Sequence, residues 1–317
     1  MLKNKKILVT GATGFIGSNL AAAFLEKEAR VFIFTRPTSD RWRLKGILKR
    51  VSDHSVDLTD RAGLNKTVAL IGPDIIVHNA VYGGFLSQDD AEKTHRINYH
   101  GTVNLLNACV KTGFEVFINT GTSSEYKIQN RALGEADALE ETGAYGSSRA
   151  RAALFCQREA AARGQGAIVT LRLFSPYGYY DAGERLIPSV IMSCLKGKRP
   201  KVSSPGPVRD FIFIEDIIDA YVKTIENAAS VSGEIFNIGC GRQRSVLEVV
   251  KQILEITGSS AEPEWGSMRN PRTEPVVWQA DISKAQRLLK WRPAHSLEQG
   301  LTKTVDWFRE NLSLYKQ

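Results

Sequence analysis

The stretch that most constrains this chain is Lys6-Ile-Leu-Val-Thr-Gly-Ala-Thr-Gly-Phe-Ile-Gly17. Ile7-Leu8-Val9 is a short apolar, β-prone run, the pattern of a buried strand. Gly11, Gly14 and Gly17 follow it, and residues 18–28 are then rich in helix formers. Strand, glycine turn and helix in that order predict a βα unit whose turn can hold a pyrophosphate. Gly11 permits the tight turn, Gly14 lets the backbone approach the anion, and Gly17 lets the helix pack close to the strand. The helix start offers free N–H groups and the positive end of its dipole. Thr13, Phe15 and Ile16 therefore join the three glycines as candidate cofactor-binding residues. The spacing is GxxGxxG rather than GxGxxG.

The alternation continues down the chain. Residues 29–35, 51–56, 74–78, 116–120 and 167–173 read as strands, with helical stretches between most of them. Residues 91–111 form a long amphipathic helix that carries Asn98. This order predicts an α/β fold, a Rossmann-type doubly wound parallel sheet covered on both faces. Residues 1–174 are expected to form the dinucleotide-binding domain. Residues 175–317 are expected to form a smaller, non-contiguous α/β substrate domain, with 205–240 returning to the first. At 317 residues and 43% hydrophobic, the chain is large enough to bury such a core. In the second half, Ser245 with Glu248 reads as a helix cap. Leu297, Leu301, Val305 and Phe308 read as a core-facing stripe.

Bulk properties exclude several classes. No apolar run is long enough to span a membrane and no signal peptide opens the chain, so a cytoplasmic protein is expected. Cys109, Cys156, Cys194 and Cys240 are scattered without a CxxC pair, which argues against a metal site and fits a reducing compartment. The formal charge is +8, but Lys and Arg are dispersed and no basic block is interleaved with aromatics. Anionic nucleotides account for that balance better than nucleic acid.

The end of the second strand bears on cofactor choice. An acidic residue there bonds the 2′-hydroxyl of NAD. This chain has Thr35-Arg36, and the next acid is Asp40, beyond Pro37. A guanidinium suits a 2′-phosphate, so NADP(H) is favoured. In the alternative, Arg36 stacks on adenine and the cofactor is NAD(H). Arg41, Arg43 and Lys45 either help hold the phosphate or form a solvated face. Asp57, beside Leu58, either accepts from the adenine amino group or caps the turn before Asp60. Asn79-Ala80 follow the fourth strand and would run along the pyrophosphate and ribose. Tyr82-Gly83-Gly84-Phe85 reads as an aromatic loop on the substrate side.

The chemistry is carried further on. The fifth strand leads into Thr120-Gly-Thr-Ser-Ser-Glu-Tyr126, and Tyr145-Gly-Ser-Ser-Arg149 opens a helix. Positions i and i+4 share a helix face. A strand-end hydroxyl, with a phenol and a cation one helical turn apart, can move a proton at a carbinol carbon. Tyr145 would donate or accept the hydroxyl proton, and the Arg149 cation would favour the phenolate. Thr122 would orient the reacting oxygen.

The glycine motif, the Thr/Ser patch and Tyr145-x3-basic resemble the extended short-chain dehydrogenase/reductase superfamily. Within it the chain is similar to the nucleotide-sugar epimerases, reductases and dehydratases. The resemblance implies a nicotinamide cofactor held by the glycine turn, Arg36, Asp57, Leu58, Asn79, Ala80, Asn98, Tyr145 and Arg149. It implies a nucleotide-diphosphate sugar substrate near Tyr82, Ser123, Ser124 and Ser175. Val208-Arg209-Asp210-Phe211 resembles the family segment whose arginine grips the diphosphate. The stretch from Trp265 to Arg272 resembles the loop that adds a second arginine, Arg272 or alternatively Arg269. Family members also pair as homodimers, through helices placed here at 91–111 and 145–163.

Three departures narrow the reading. Arg149 stands where the family has Lys; it keeps the charge and donors but cannot release a proton near neutral pH. Ser123 and Ser124 stand where the 4,6-dehydratases carry Asp-Glu, so dehydration is disfavoured, and Glu125 comes one place late. Ser175 replaces a common Asn. The leading expectation is an NADP(H)-dependent reductase of a nucleotide-activated 4-keto (6-deoxy) sugar, acting at C4. The alternatives are a nucleotide-sugar 4-epimerase that holds NAD(+), and a nucleotide-binding protein without turnover.

Overall fold

The βα alternation closes into one seven-stranded parallel sheet in the computed structural model, which describes residues 2–85, 87–268 and 274–315. The chain runs β1 (Lys6–Thr10), α1 (Phe15–Glu26), β2 (Arg30–Thr35), β3 (Ser52–Ser55), α2 (Arg61–Ile71), β4 (Ile75–His78), α3 (Ala91–His95), α4 (Gly101–Thr112), β5 (Val116–Thr122), α5 (Ala144–Ala161) and β6 (Ala167–Leu173). It continues through β7 (Ser175–Tyr177), α6 (Leu186–Leu195), β8 (Lys201–Val202), β9 (Val208–Arg209), β10 (Phe211–Phe213), α7 (Ile214–Asn227) and β11 (Ile235–Ile238). It ends with β12 (Arg244–Ser245), α8 (Val246–Thr257), β13 (Glu264–Trp265), α9 (Ser283–Leu288) and α10 (Leu297–Asn311). The sheet order is β11-β6-β5-β4-β1-β2-β3. The chain therefore winds outward from β1 to β3, then crosses back to β4 and winds the other way. At such a reversal the carboxyl ends of adjacent strands open a crevice.

Both sheet faces are apolar, as buried parallel strands require. Ile7, Val9, Val77 and Ile118 face one layer, with Leu20, Phe24 and Ile217 of the helices above them. Leu8, Ile76, Phe117 and Ile168 face the other, against Leu64, Leu105 and Phe155. Beyond β6, three two-stranded pairs (β7 with β10, β9 with β12, β8 with β13) build the remaining surface. Ser245 and Glu248 form the expected capping box at α8. Leu301, Val305 and Phe308 are fully buried on α10.

The helix expected at 91–111 is present but not α-helical throughout. Between α3 and α4, residues Arg96–His100 form a π-helical turn. One extra residue in that turn accompanies Asn98 facing inward, where its amide bonds the backbone of Tyr82 on both the N–H (2.8 Å) and C=O (2.9 Å) sides. A local gain in hydrogen bonding thus offsets a poorer helix, the usual setting of a π-bulge. β5 also runs two residues further than expected, to Thr122.

A directional hydrogen-bond chain ties β1, β4 and α4 beneath the crevice. Thr102 Oγ1 donates to Asn98 O (2.6 Å), so it accepts from His78 Nε2 (2.9 Å). His78 Nδ1 then accepts from Thr10 Oγ1 (2.7 Å), which takes the Ala80 N–H (3.2 Å). His78 is neutral: burial and then the nearby Arg149 charge lower its pKa to about 3. The unfolded chain binds this proton below about pH 6.5 and the folded chain does not, so stability is lost as pH falls. Between pH 7 and 5 this group should cost about 2 kcal/mol in urea titrations, a slope that His78→Gln should remove. An identical slope in the variant would contradict that assignment.

Candidate active site

The glycine turn is built from close approaches. Gly11 has φ +66°, and a Cβ there would lie 2.6 Å from Asn79 C and 2.7 Å from Ala80 N. The turn thus runs directly against the end of β4. A methyl on Gly17 would overlap the Gly11 carbonyl oxygen and approach Ala12 Cα at 2.8 Å. Gly14 is different. Its backbone is extended, at φ −83° and ψ 173°. Its Cβ would meet only Gly11 O, at 3.2 Å. Little inside the chain demands glycine there, and its bare backbone leaves room for a ligand to approach. Gly14 is also the N-cap of α1, with no side-chain cap and no acidic residue in the first turn. The first N–H groups of α1, at Phe15 and Ile16, therefore stay available to an anion. Arg43 braces the turn from behind, donating to Thr13 O (3.3 Å) and Tyr180 O (2.7 Å) while lying over the Trp42 ring. It is not part of a solvated face.

At the end of β2, the fold supplies an acid that linear order hid. Asp53 of β3 takes Thr35 Oγ1 on one oxygen (2.7 Å) and Arg41 Nε on the other (2.8 Å). Arg41 Nη2 closes the triangle on Thr35 Oγ1 (2.7 Å). Asp53 and Arg41 thus satisfy each other. The Arg36 guanidinium has no hydrogen bond or ion pair among the described residues; only its backbone is engaged, with Ser39. Asp57 caps its own turn, accepting the Thr59 N–H (2.8 Å) and hydroxyl (2.7 Å) on one oxygen. The Thr59 N–H, with the hydroxyl, Arg36 and Arg96, holds its carboxyl below the usual range despite partial burial. Leu58 is buried beside it.

The other end of the crevice gathers the redox candidates. A methyl on Gly146 would overlap Ser124 O, so the start of α5 presses on the turn after β5. That contact sets Gly146, the residue after Tyr145, against the turn that carries Thr122, Ser123 and Ser124, a close approach the linear sequence did not signal. The Tyr82–Phe85 loop covers Tyr145: a Cβ on Gly83 would sit 3.4 Å from Tyr145 Cδ2. Asn98 fixes that loop and also donates to Ser148 Oγ (3.0 Å) on α5. Both its amide hydrogens are used inside the chain. Asn98 thus ties the loop to α5, and no amide hydrogen is left over for the expected cofactor contact.

Arg149 is 2% exposed. Its Nη1 is buried without a hydrogen-bond partner, and no carboxylate pairs with it among the described residues. Asn79 Nδ2 is orphaned in the same way. Asn79 Oδ1 accepts from Thr120 Oγ1 (2.7 Å), which also bonds Tyr221 Oη (2.6 Å). Buried donors without partners are rare and ask for an explanation. Together with the uncapped helix and the bare Gly14, they fit a dinucleotide laid from Gly11 to Arg149, past Ala80.

The substrate-side candidates are spread over the second half. Ser123 Oγ accepts from the Trp278 indole (3.3 Å), a neighbour that nothing in the local sequence signalled. The Ser175 N–H bonds Asp210 O (2.9 Å), which joins β7 to the Arg209-Asp210 segment. The Asp210 carboxylate is itself buried, takes the N–H groups of Cys240, Gly241 and Ala280, and is pushed up to about 6 by burial. Arg209 is held by Glu274 (2.6 Å) and by Val208 O (2.7 Å). The Tyr82 ring carries Lys93 above it at 4.6 Å. Arg269 and Arg272 lie outside the described residues. Among the described residues no His/Cys/Asp/Glu cluster could hold a metal, and no helix is long and apolar enough to cross a membrane.

Residues 7–239 match the NAD dependent epimerase/dehydratase family, and the chain belongs to that family of extended short-chain dehydrogenases/reductases. It is 30% identical to an uncharacterised UDP-glucose epimerase of Bacillus subtilis (strain 168), covering 98% of this chain and 99% of that one. It is 29% identical to a dTDP-glucose 4,6-dehydratase of Neisseria meningitidis, over 97% and 94% of the two chains. Among solved structures, a UDP-glucuronic acid 4-epimerase of Bacillus cereus, in complex with UDP-glucuronic acid and NAD, superposes with TM-score 0.84 at 29% identity, over 96% and 99% of the chains.

The glycines separate folding from binding. Gly17→Ala should lower unfolding stability by about 2 kcal/mol, because its neighbour is backbone. Gly14→Ala should unfold within about 0.5 kcal/mol of wild type, yet lose most dinucleotide affinity. Urea unfolding and dinucleotide titration of both variants check this. Normal binding by Gly14→Ala would contradict it.

Proposed function

We infer that the protein is a nucleotide-sugar 4-epimerase that keeps its nicotinamide dinucleotide bound through turnover. The observation that carries this is Arg149, a buried cation without a partner among the described residues, one helical turn along α5 from Tyr145, whose helix starts against a Thr-Ser-Ser turn that holds no free carboxyl group. Tyr145 Oη takes the proton of the sugar C4 hydroxyl and later returns it. Thr122 Oγ1 bonds the same oxygen and fixes its direction. Arg149 stabilises the phenolate and offers its donors to the nicotinamide ribose, without relaying a proton. The bound dinucleotide supplies the acceptor, and then the donor, for the C4 hydrogen with its electron pair. Ser123 and Ser124 cannot act as carboxyl acid and base, so the keto sugar keeps its hydroxyl groups and can be reduced from its other face. Arg209 takes the diphosphate by exchanging Glu274 for it.

The sequence placed a reductase first. The relatives named as epimerases, and the NAD in the Bacillus cereus complex, support the epimerase instead. One observation favours the reductase as a second reading: the Arg36 guanidinium has no hydrogen bond or ion pair among the described residues and suits a 2′-phosphate.

Denaturing the purified protein and identifying the released nucleotide separates the two. Released NAD(+), with C4 epimers of UDP-sugars interconverting by NMR without added cofactor, is the expected result. An empty protein that consumes NADPH with a 4-keto sugar supports the reductase. Tyr145→Phe should lower kcat at least ~100-fold. No turnover of any nucleotide sugar by the wild type would sink both readings.

A further inference from the structure

The carboxylate that the dehydratase pattern would place in the site sits one residue later and points the other way. Glu125 is completely buried, and Oε2 pairs with Arg172 Nε at 2.7 Å, the two side chains being 0% and 1% exposed. Its other oxygen takes the Thr122 N–H at 2.8 Å. Thr122 Oγ1 in turn accepts the Ser124 N–H (3.3 Å), so the turn carrying the Thr122 hydroxyl is pinned on both sides.

The pin has no slack. A Cβ on Gly121 would lie 2.6 Å from Glu125 Oε1 and 3.0 Å from Arg172 Cγ. Arg172 on β6 is opposite Gly121 on β5 in the sheet register. It donates to Tyr126 Oη (2.8 Å), which donates to Asn237 Oδ1 (2.6 Å) on β11. Asn237 Nδ2 bonds Leu133 O (2.8 Å). The load on the Thr122 turn therefore passes into two neighbouring strands of the main sheet.

We propose that Glu125 is a positioning residue of the redox site, holding the Thr122 hydroxyl in register with Tyr145 by gripping the Thr122 N–H from a carboxylate fixed on Arg172. Removing a carboxylate from the active-site edge and placing it under the turn serves two ends. It clears the crevice of an acid that could eliminate water, and it stiffens the group that aims the reacting oxygen. The proposal rests on the reading of Thr122 as the group that orients that oxygen.

The test is a double-mutant cycle on holoenzyme with a nucleotide-sugar substrate. Glu125→Asp keeps the ion pair's charge but shortens the reach to Thr122; if it does not fold, Arg172→Lys slackens the same carboxylate from the other side. The expected result is a kcat about tenfold lower, with KM and dinucleotide affinity unchanged. In a Thr122→Val background the same substitution should change kcat by less than about twofold, because its route of action is gone. Equal losses in both backgrounds, or a loss confined to melting temperature, overturn the proposal and leave the role of Thr122 standing. A Thr122→Val enzyme with wild-type kcat removes that role, and the proposal with it.

Discussion

A guanidinium buried without a counter-ion among the described residues is the constraint on which this site depends. Arg149 is always protonated, and an unpaired buried charge is costly in a folded protein. Burial keeps the groups around Arg149 neutral: it is the main reason that His78 is driven down to about 3, with Arg149 adding to it, and it pushes Cys156 up to about 12 and raises Tyr221 against the opposing pull of Arg149. No other described side chain offers Arg149 an anion. Proteins retain such costs where activity uses them. The charge lies one helical turn from Tyr145, along the line that starts at the uncapped end of α1.

Everything that makes this arrangement possible is backbone packing. Gly11 lets the turn touch β4, Gly17 lets α1 sit on that turn, and Gly146 lets α5 sit on the turn after β5. Each glycine removes a methyl that would push two elements apart. The two turns flank the crevice at the reversal of strand order, and the His78 chain ties their floor together. Asn98 then fastens the Tyr82 loop and α5 to one another at the π-turn. In the proposed reading, dinucleotide and sugar would therefore meet Tyr145 between packed elements rather than on loops.

The parts legible in the sequence were those encoded locally. The glycine turn, the strand periods, the i, i+4 pair of Tyr145 and Arg149, and the Ser245 cap all follow from short-range pattern. The missing dehydratase carboxylates were equally readable. What stayed hidden depends on register between distant strands. Asp53 reaches Thr35 only because β2 and β3 pair in parallel. Glu125 meets Arg172 only because β5 and β6 do. The family resemblance assigns Asn98 to the cofactor; only the fold reveals that Tyr82 and Ser148 take both its amide hydrogens. The cofactor reading leans on Arg36 and on the lack of an acid after it in linear order; Arg41 and Arg43, which could have joined it, are engaged within the chain.

The most direct test is the melting temperature of Arg149→Met, stripped of dinucleotide and then saturated with it. Methionine fills a similar volume without charge, so the stripped variant should melt a few degrees above the stripped wild type, while the rise on adding dinucleotide should shrink sharply. A stripped variant that melts lower, with the full dinucleotide-dependent rise intact, would show that the buried guanidinium serves the fold and not the site.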